Sequence, residues 1–176
     1  IVVLESTSPV GTTEKIGEIL KDSGVNISEI FIAHCPERVL PGKILHELVQ
    51  NDRIVGGLTL EATRKTADFY KTFVKGEILQ TDARTAEMAK LTENSFRDVN
   101  IAFANELSIL CDKFGINVWE LISLANRHPR VNILSPGCGV GGHCIAVDPW
   151  FIVHAGGNDA KLIKTAREVN NYKIQW

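Results

Sequence analysis

A cysteine and an aspartate four positions apart, Cys144 and Asp148, are the residues best suited to do chemistry in this sequence. A cysteine attacks an electrophilic carbon as its thiolate, and it needs an open path to the substrate. The glycine-rich run at 137–142 would provide that path, because glycine lets a ligand approach the backbone closely. If a helical turn begins at Cys144, Asp148 faces the same way. The alternative is that Cys144 is a small core residue at the start of a helix.

A second pair has the same spacing, Lys90 and Asn94. Both lie in a run without glycine or proline, so a helix would project them from one face. Beside an apolar stripe, this pair is mild evidence for a polar site. A helical lysine is usually solvated, so the spacing leaves both interpretations open.

Thr7 and Glu37 each follow a short apolar run that is typical of a buried strand. Ligands of open α/β sheets bind beyond the carboxyl ends of the strands, which would place both residues near a cleft. The alternatives are that Thr7 stabilises a turn and that Glu37 is simply exposed.

Two other patterns lack the context that their chemistry needs. The run at 137–142 matches G-x-G-x-x-G, but Ser135 and Pro136 precede it where a dinucleotide cradle requires a strand. A loop that lies close to a substrate is favoured instead. Zinc would need two well-spaced ligand pairs, and the candidate ligands are irregularly spaced. Those candidates are Cys138, His143, Cys144 and His154. No metal site is therefore predicted.

The first half of the chain alternates strands and helices. Apolar runs predict strands near residues 1–5, 30–33, 53–57 and 77–79. Thr12 or Thr13 is predicted to be the N-cap of a helix that ends at Gly24, and a second helix is predicted over 59–74. This order predicts an α/β unit with a mainly parallel sheet.

The second half is predicted to be all α. Residues 83–114 contain no glycine or proline and carry apolar residues at helical spacing, which predicts one helix of about 45 Å. Cys111 would be a small core residue of that helix. Shorter helices are predicted at 118–126, 145–155 and 159–171, with a Gly/Pro loop at 132–142.

No glycine-rich phosphate turn follows the strand at residues 1–5, although a dinucleotide-binding sheet normally has one after its first strand. We therefore interpret residues 1–81 as the latter part of a Rossmann-type domain. Residues 82–176 would form a helical domain built on the long helix. The strand at Ile1, already in progress and without a signal-peptide pattern, suggests a chain that begins mid-domain.

Composition excludes several classes of protein. The 176 residues carry 19 basic and 21 acidic side chains, a net charge of −2, which provides no electrostatic footprint for nucleic acid. The apolar runs are too short to span a membrane. Four cysteines are far too few for a disulfide scaffold, so reduced thiols and a cytoplasmic location are expected.

Taken together, four stretches of the sequence resemble the nucleotide-sugar 6-dehydrogenases, the family of UDP-glucose and GDP-mannose dehydrogenases. They are ESTSPVGTTE at 5–14, CPERVLPG at 35–42, AEMAKLTENSFRDVNIAFANELS at 86–108 and GCGVGGHCIAVDP at 137–149. The resemblance extends over essentially the whole chain. CPERVLPG, NRHPRVNIL and GVGGHCIAVDPWFIV look most like the branch that oxidises UDP-N-acetylmannosamine.

The resemblance implies an architecture, a cofactor and partners. Family members have an NAD-binding Rossmann domain, a helical domain that forms a homodimer around a long helix, and a third domain that helps to hold UDP. The glycine motif for NAD would lie upstream of this chain and much of the UDP site downstream. The implied partners are a UDP-sugar and a second copy of the protein.

It also implies roles for four residues of the two helical pairs. Cys144 would capture the C6 aldehyde as a thiohemiacetal, which a second oxidation turns into a thioester that water hydrolyses. Lys90 would stabilise oxyanionic intermediates with the help of Asn94. Asp148 would position water or Lys90.

Further roles follow for residues in the loops. Thr7 resembles the residue that orders a catalytic water, and Glu37 the carboxylate used in acid–base steps and hydrolysis. Both would also contact the cofactor. Contacts to the substrate are implied for Arg38, Arg130, Gly141 and His143.

One position departs from the pattern of UDP-glucose dehydrogenases. Those enzymes usually have a second glutamate four residues after the one matched by Glu37, and here Pro41 stands there. This favours an N-acetyl sugar over UDP-glucose. UDP-N-acetylglucosamine and UDP-glucose stay as alternative substrates, and a catalytically silent dimerisation core is the alternative from another class.

Overall fold

In the computed structural model, which describes residues 1–39, 42–139 and 142–176 and only the backbone at His143, the chain folds as two units. They are Ile1–Lys90 and Leu91–Trp176. The first is a sheet with helices and the second is helical throughout, which confirms the predicted fold class.

The first unit contains one four-stranded sheet in the order β1-β2-β3-β4. Its strands are β1 at Val2–Leu4, β2 at Ile32–His34, β3 at Arg53–Gly57 and β4 at Ile78–Asp82. The pairs β1–β2 and β3–β4 are parallel, as predicted for a mainly parallel sheet. The central pair β2–β3 is antiparallel and short, with Ala33 opposite Gly57 and His34 opposite Gly56.

Three helices accompany this sheet: α1 at Thr12–Asp22, α2 at Ile44–Gln50 and α3 at Leu60–Lys71. A 3₁₀ turn at Ile27–Glu29 leads into β2. Helix α2 is not predicted by the sequence, because seven residues are too few to show a helical period. The core of the unit packs around Cys35, Val55, Tyr70 and Val74.

The long helix α4 runs from Ala83 to Phe114 and has residues in both units. Asp82 caps its start: one carboxylate oxygen accepts from the Thr85 backbone at 2.9 Å and the other from the Thr85 hydroxyl at 2.7 Å. These hydrogen bonds lower the pKa of the Asp82 carboxyl. Gly115 ends the helix in the left-handed region at φ 68°, which favours glycine. The predicted bounds are confirmed.

The second unit adds α5 at Val118–Ala125, α6 at Gly142–Gly156 and α7 at Lys161–Gln175 to the rest of α4. Helix α6 begins three residues earlier than the sequence predicted. Its first residues include a glycine, which has low helix propensity and was assigned to the preceding loop. Cys144 consequently lies in the first turn of a helix.

A buried polar network joins α4 to α7. Arg167 donates from Nη1 to Asp98 Oδ1 at 2.5 Å, and both side chains are almost fully buried. Asn170 donates from Nδ2 to the same Asp98 oxygen at 2.8 Å and accepts from Asn105 Nδ2 at 2.8 Å. The network reaches the glycine-rich segment, where the backbone N–H of Gly137 donates to Asn105 Oδ1 at 2.8 Å.

Across the described residues, no helix is both long enough and apolar enough to cross a membrane.

Candidate functional site

Hydrogen bonds beyond the ends of β1 and β2 set the position of Glu37. The backbone N–H of Cys35 donates to Leu4 O and that of Glu37 donates to Glu5 O, both at 2.9 Å. The parallel pairing therefore continues past both strands. Glu37 lies at the carboxyl edge of the sheet, where the chain leaving β1 carries Thr7. Both residues are half-buried.

Glu37 and Arg38 both have partners within their own unit. The Glu37 carboxylate accepts a hydrogen bond from the backbone N–H of Val39. Arg38 donates from Nη1 to the Asp52 backbone oxygen at 3.4 Å. The turn after β2 is thus held by side chains as well as by the sheet, and it presents a half-buried carboxylate at the sheet edge.

The start of α1 is capped in a way that the sequence analysis missed. Gly11, at φ 93°, takes the N-cap position that was predicted for Thr12 or Thr13, and it has no side chain to cap with. The cap comes from Glu87 on α4. Its carboxylate accepts from Gly11 N at 2.6 Å, Thr13 N at 2.7 Å and Thr13 Oγ1 at 2.6 Å. No spacing rule links residues 74 or 76 positions apart, so only the fold reveals this contact.

Glu87 lies three residues before Lys90 on the same helix, within the first unit. Glu87 is 1% exposed, whereas Lys90 is half-buried. The lysine proposed from the sequence therefore follows, within one turn, a carboxylate that is bonded to α1.

Three buried polar side chains of this unit have no hydrogen-bond partner among the described residues. They are His34, on both ring nitrogens, and Ser8 and Thr66, on their hydroxyls. Burial lowers the pKa of His34, and the negative charge of Glu87 opposes that shift only partly. His34 is accordingly neutral near pH 7. The Ser8 hydroxyl lies in the segment that follows β1.

The second unit brings Asn94 and Asp148 together. Asn94 Nδ2 on α4 donates to Asp148 Oδ2 on α6 at 2.6 Å, and each residue is 5% exposed. A buried carboxylate that accepts a short hydrogen bond from an amide is held in one orientation. Spacing had assigned these residues to different pairs, and tertiary structure makes them direct partners.

Cys144 precedes Asp148 by one turn of α6 and is exposed. Cys138 is also exposed, whereas Cys35 and Cys111 are buried, which agrees with the core position predicted for Cys111. An exposed thiol on a first helical turn, one turn before an oriented carboxylate, can attack an electrophile that enters from solvent. The interpretation of Cys144 as a core residue is not supported.

Of the remaining candidate residues, some lie within the described part of the chain and others lie outside it. Arg130 is exposed in the turn after α5, where its backbone N–H donates to His128 Nδ1 at 3.3 Å. Gly141 and Pro41 lie outside the described residues, as does the side chain of His143. Within the described ranges, no group of three or more histidine, cysteine, aspartate or glutamate residues could hold a metal ion.

Comparison with known proteins gives matches over both units. Residues 1–74 match the NAD binding domain of the UDP-glucose/GDP-mannose dehydrogenase family. Residues 84–172 match the central domain of the same family.

Individual relatives agree with these domain matches. A UDP-N-acetyl-D-mannosamine dehydrogenase from Campylobacter jejuni is 66% identical, over 98% of this chain and 45% of that protein. An NDP-N-acetyl-D-galactosaminuronic acid dehydrogenase from Ralstonia solanacearum is 63% identical, over 98% of this chain and 43% of its own length. The chain thus spans less than half the length of these relatives.

Solved structures show the same fold. The structure of the UDP-D-ManNAc dehydrogenase from Pyrococcus horikoshii superposes with a TM-score of 0.88 at 47% identity. The superposition covers 98% of this chain and 42% of the Pyrococcus chain.

Proposed function

The chain belongs to the UDP-glucose/GDP-mannose dehydrogenase family, and from this premise we propose that its full-length protein oxidises the C6 alcohol of UDP-N-acetylmannosamine to a carboxylate with NAD. The observation that carries the proposal is an exposed Cys144 one helical turn before Asp148, which Asn94 holds by a buried hydrogen bond. A relative that is 66% identical and named for this sugar nucleotide supports the choice of substrate.

In the proposed reaction, Cys144 keeps the sugar bound between two oxidations. The alcohol first loses a hydride and a proton to become an aldehyde, and the Cys144 thiolate adds to the aldehyde carbon. Loss of a second hydride converts the thiohemiacetal into a thioester. Water then attacks the thioester carbon, the C–S bond breaks, and the thiolate is regenerated as the acid leaves.

Charged and polar side chains stabilise the intermediates that Cys144 forms with the substrate. Lys90 offsets the negative charge that develops on the C6 oxygen, as a fixed cation can. Asn94 acts with it and also orients Asp148, which positions water or Lys90. Thr7 orders the hydrolytic water, and the Glu37 carboxylate moves protons during hydrolysis.

NAD, when bound, accepts the hydride that is removed at each oxidation. The residues beyond β1 and β2 fit such a ligand, because the Ser8 hydroxyl is buried there without a partner among the described residues. Thr7 and Glu37, at the same edge, would contact the cofactor. The N-terminus of α1 does not fit the pyrophosphate, since the carboxylate of Glu87 already accepts from its first N–H groups.

A homodimer through α4 is part of the proposal. Four large apolar residues of α4 in the second unit are exposed: Phe96 at 68%, Phe103 at 55%, Leu110 at 40% and Phe114 at 65%. Their spacing of seven, seven and four residues places them along one face of the helix. Exposed apolar stripes of this kind mark interaction surfaces, and a second copy of the same helix is a self-complementary occupant. Sizing by light scattering at micromolar concentration tests it, and a strict monomer would count against it.

A second candidate substrate has specific support, because the Ralstonia relative, at 63% identity, is named for an N-acetylgalactosaminuronic acid. Arg38 and Arg130, with Gly141 and His143, are proposed to contact the sugar nucleotide. The sugar would then be selected by contacts around C2, which carries the acetamido group, and around C4, which carries a hydroxyl. A panel of UDP-N-acetylmannosamine, UDP-N-acetylgalactosamine, UDP-N-acetylglucosamine and UDP-glucose distinguishes these candidates. A chain that serves only as a dimerisation core would oxidise none of them.

Replacing the proposed nucleophile tests the covalent mechanism. In the full-length protein, we expect two NADH per UDP-sugar, and Cys144→Ser should slow acid formation by at least about a thousandfold because the covalent capture is lost. NADH absorbance and the uronate product measured together give the stoichiometry.

Cys138→Ser is the matched control, since Cys138 is the other exposed cysteine among the described residues. It should keep close to normal turnover and the same stoichiometry. If Cys144→Ser completed both oxidations at the normal rate, Cys144 would not be the nucleophile.

A further inference from the structure

We propose that Glu87 is a positioning residue for the oxidation: it holds Lys90 and the segment that carries Thr7 in one fixed geometry. The inference rests on the function proposed above, which assigns Lys90 and Thr7 their roles. Glu87 itself touches neither substrate nor cofactor in this proposal, because it is 1% exposed and its carboxylate is bonded inside the unit.

The Glu87 carboxylate bonds to two residues at the start of α1. Gly11 N lies 2.6 Å from one oxygen, and the backbone N–H and hydroxyl of Thr13 lie 2.7 and 2.6 Å from the other. These short bonds tie α4 to the first turn of α1. Gly11 is four residues beyond Thr7, so the same bonds fix one end of the segment 6–10 that leaves β1.

Strand β3 packs against the same part of α4. A Cβ atom on Gly56 would lie 2.1 Å from Asp82 O and 2.8 Å from the Cβ of Ala86. The backbone of β3 therefore packs directly against the residues around Glu87. Two independent contacts, one polar and one steric, leave the start of α4 little freedom to shift.

A carboxylate suits this position better than its amide. The N-terminus of α1 presents N–H donors and the positive end of the helix dipole, both of which favour a negatively charged acceptor. The amide of a glutamine would direct an N–H group at Gly11 N or Thr13 N, so one of the present bonds would become a donor–donor contact. Glu87→Gln keeps the size of the side chain and removes the charge and one acceptor.

The consequence for chemistry follows from distance along the helix. Lys90 comes three residues after Glu87, so a shift in the first turn of α4 moves the lysine with it. Electrostatic stabilisation of a developing oxyanion depends on preorganised distance, and an error of about 1 Å can cost about 100-fold in rate. Binding of the UDP moiety would depend on other contacts, so kcat should change more than KM.

The experiment compares two carboxylates that join the same pair of helices in the full-length protein. Glu14 on α1 binds Arg84 on α4 at 2.7 Å, but this pair is exposed, at 42% and 64% of the side chains. Glu87→Gln is expected to lower kcat at least about tenfold with KM within about threefold, at a temperature well below the unfolding midpoint. Glu14→Gln, with the same chemical change, should leave kcat within about twofold because exposed pairs contribute little.

A milder variant keeps the inference testable if Glu87→Gln does not fold. Thr13→Val removes only the hydroxyl bond to Glu87, and it should lower kcat by about threefold while Thr13→Ser restores it. A purely structural role would lower the unfolding midpoint in both Glu87→Gln and Thr13→Val and leave kcat unchanged. That result would overturn the inference.

The two proposals fail in different ways. If the wild-type protein forms no NADH from any UDP-sugar of the panel, the proposed function is wrong. If the wild type is active and Glu87→Gln has normal kcat, the proposed function stands and the positioning role is wrong.

Discussion

Two buried carboxylates on α4, one in each unit of the chain, are stabilised in different ways. Glu87 in the first unit accepts three hydrogen bonds from uncharged groups at the start of α1. Asp98 in the second unit accepts from the Arg167 guanidinium at 2.5 Å and from the Asn170 amide at 2.8 Å. Both residues are at most 1% exposed.

The difference teaches what each acid is suited to do. A carboxylate on helix N–H groups needs no buried cation, so its removal leaves neutral donors behind. A carboxylate paired with arginine commits two desolvated charges, and the loss of one strands the other. The first arrangement ties the start of α1 to α4 through uncharged donors, whereas the second holds α4 and α7 together through a charge pair.

The largest expected effect comes from breaking the charge pair. Asp98→Ala leaves the guanidinium of Arg167 buried without its carboxylate and should lower the free energy of unfolding by about 3–5 kcal/mol. Urea denaturation followed by circular dichroism measures it. The control is Glu168→Ala, which removes an exposed partner of Lys164 on the same α7 and should cost about 0.5 kcal/mol or less. Equal losses in the two variants would show that burial does not decide the strength of the pair.

A smaller loss is expected at the other carboxylate. Glu87→Ala leaves the donors of Gly11 and Thr13 unbonded, all of them uncharged, and should cost about 2 kcal/mol. Hydrogen exchange at the first amides of α1 should accelerate, while α7 keeps its protection. A loss as large as that of Asp98→Ala would remove the distinction between the two kinds of partner.

The smallest effect is a pH dependence that belongs to the first unit alone. Burial holds the pKa of His34 below its ordinary value of 6.5, so the folded protein binds this proton less readily than the unfolded chain. The contribution of neutral His34 to the free energy of unfolding is therefore fully present above pH 6.5. It is lost as the pH falls from 6.5 through the lower pKa that His34 has in the folded protein.

The matching experiment follows urea midpoints from about pH 7.5 to about pH 5 in wild type and in His34→Leu, which has no titrating group at this position. We expect the fall at low pH to be shallower in the variant. An unchanged slope would assign the acid sensitivity to other residues.

Much of the fold could be predicted from the sequence, because the relevant signals are local. Short apolar runs predicted the four strands of the described sheet, and the run without glycine or proline after Asp82 predicted the observed bounds of α4. The end of α4 at Gly115 was also a local signal, because glycine readily adopts the left-handed conformation, φ 68°, that ends the helix. Helix α2 was missed because it is only seven residues long, and the start of α6 because glycine is a weak helix former.

The candidate site was predicted less completely. Motif residues were found by their types and by spacings of four, and resemblance to a family assigned them roles. Their partners lie far away in sequence, as with Asn94 and Asp148, which are 54 positions apart. The antiparallel direction of β3 beside β2 could likewise not be predicted from the sequence. The direction of a strand is set by how its connection packs and not by the strand's own residues.

By itself, the sequence determined the elements, the order α/β then α, and the side chains capable of chemistry, because these depend on neighbours within one or two helical turns. Only the tertiary structure decided that Glu87 caps α1, that Asn94 holds Asp148, and that Arg167 neutralises Asp98. The physical reason is that a buried polar group must find a partner wherever the fold provides one. The choice of that partner depends on which elements meet in space.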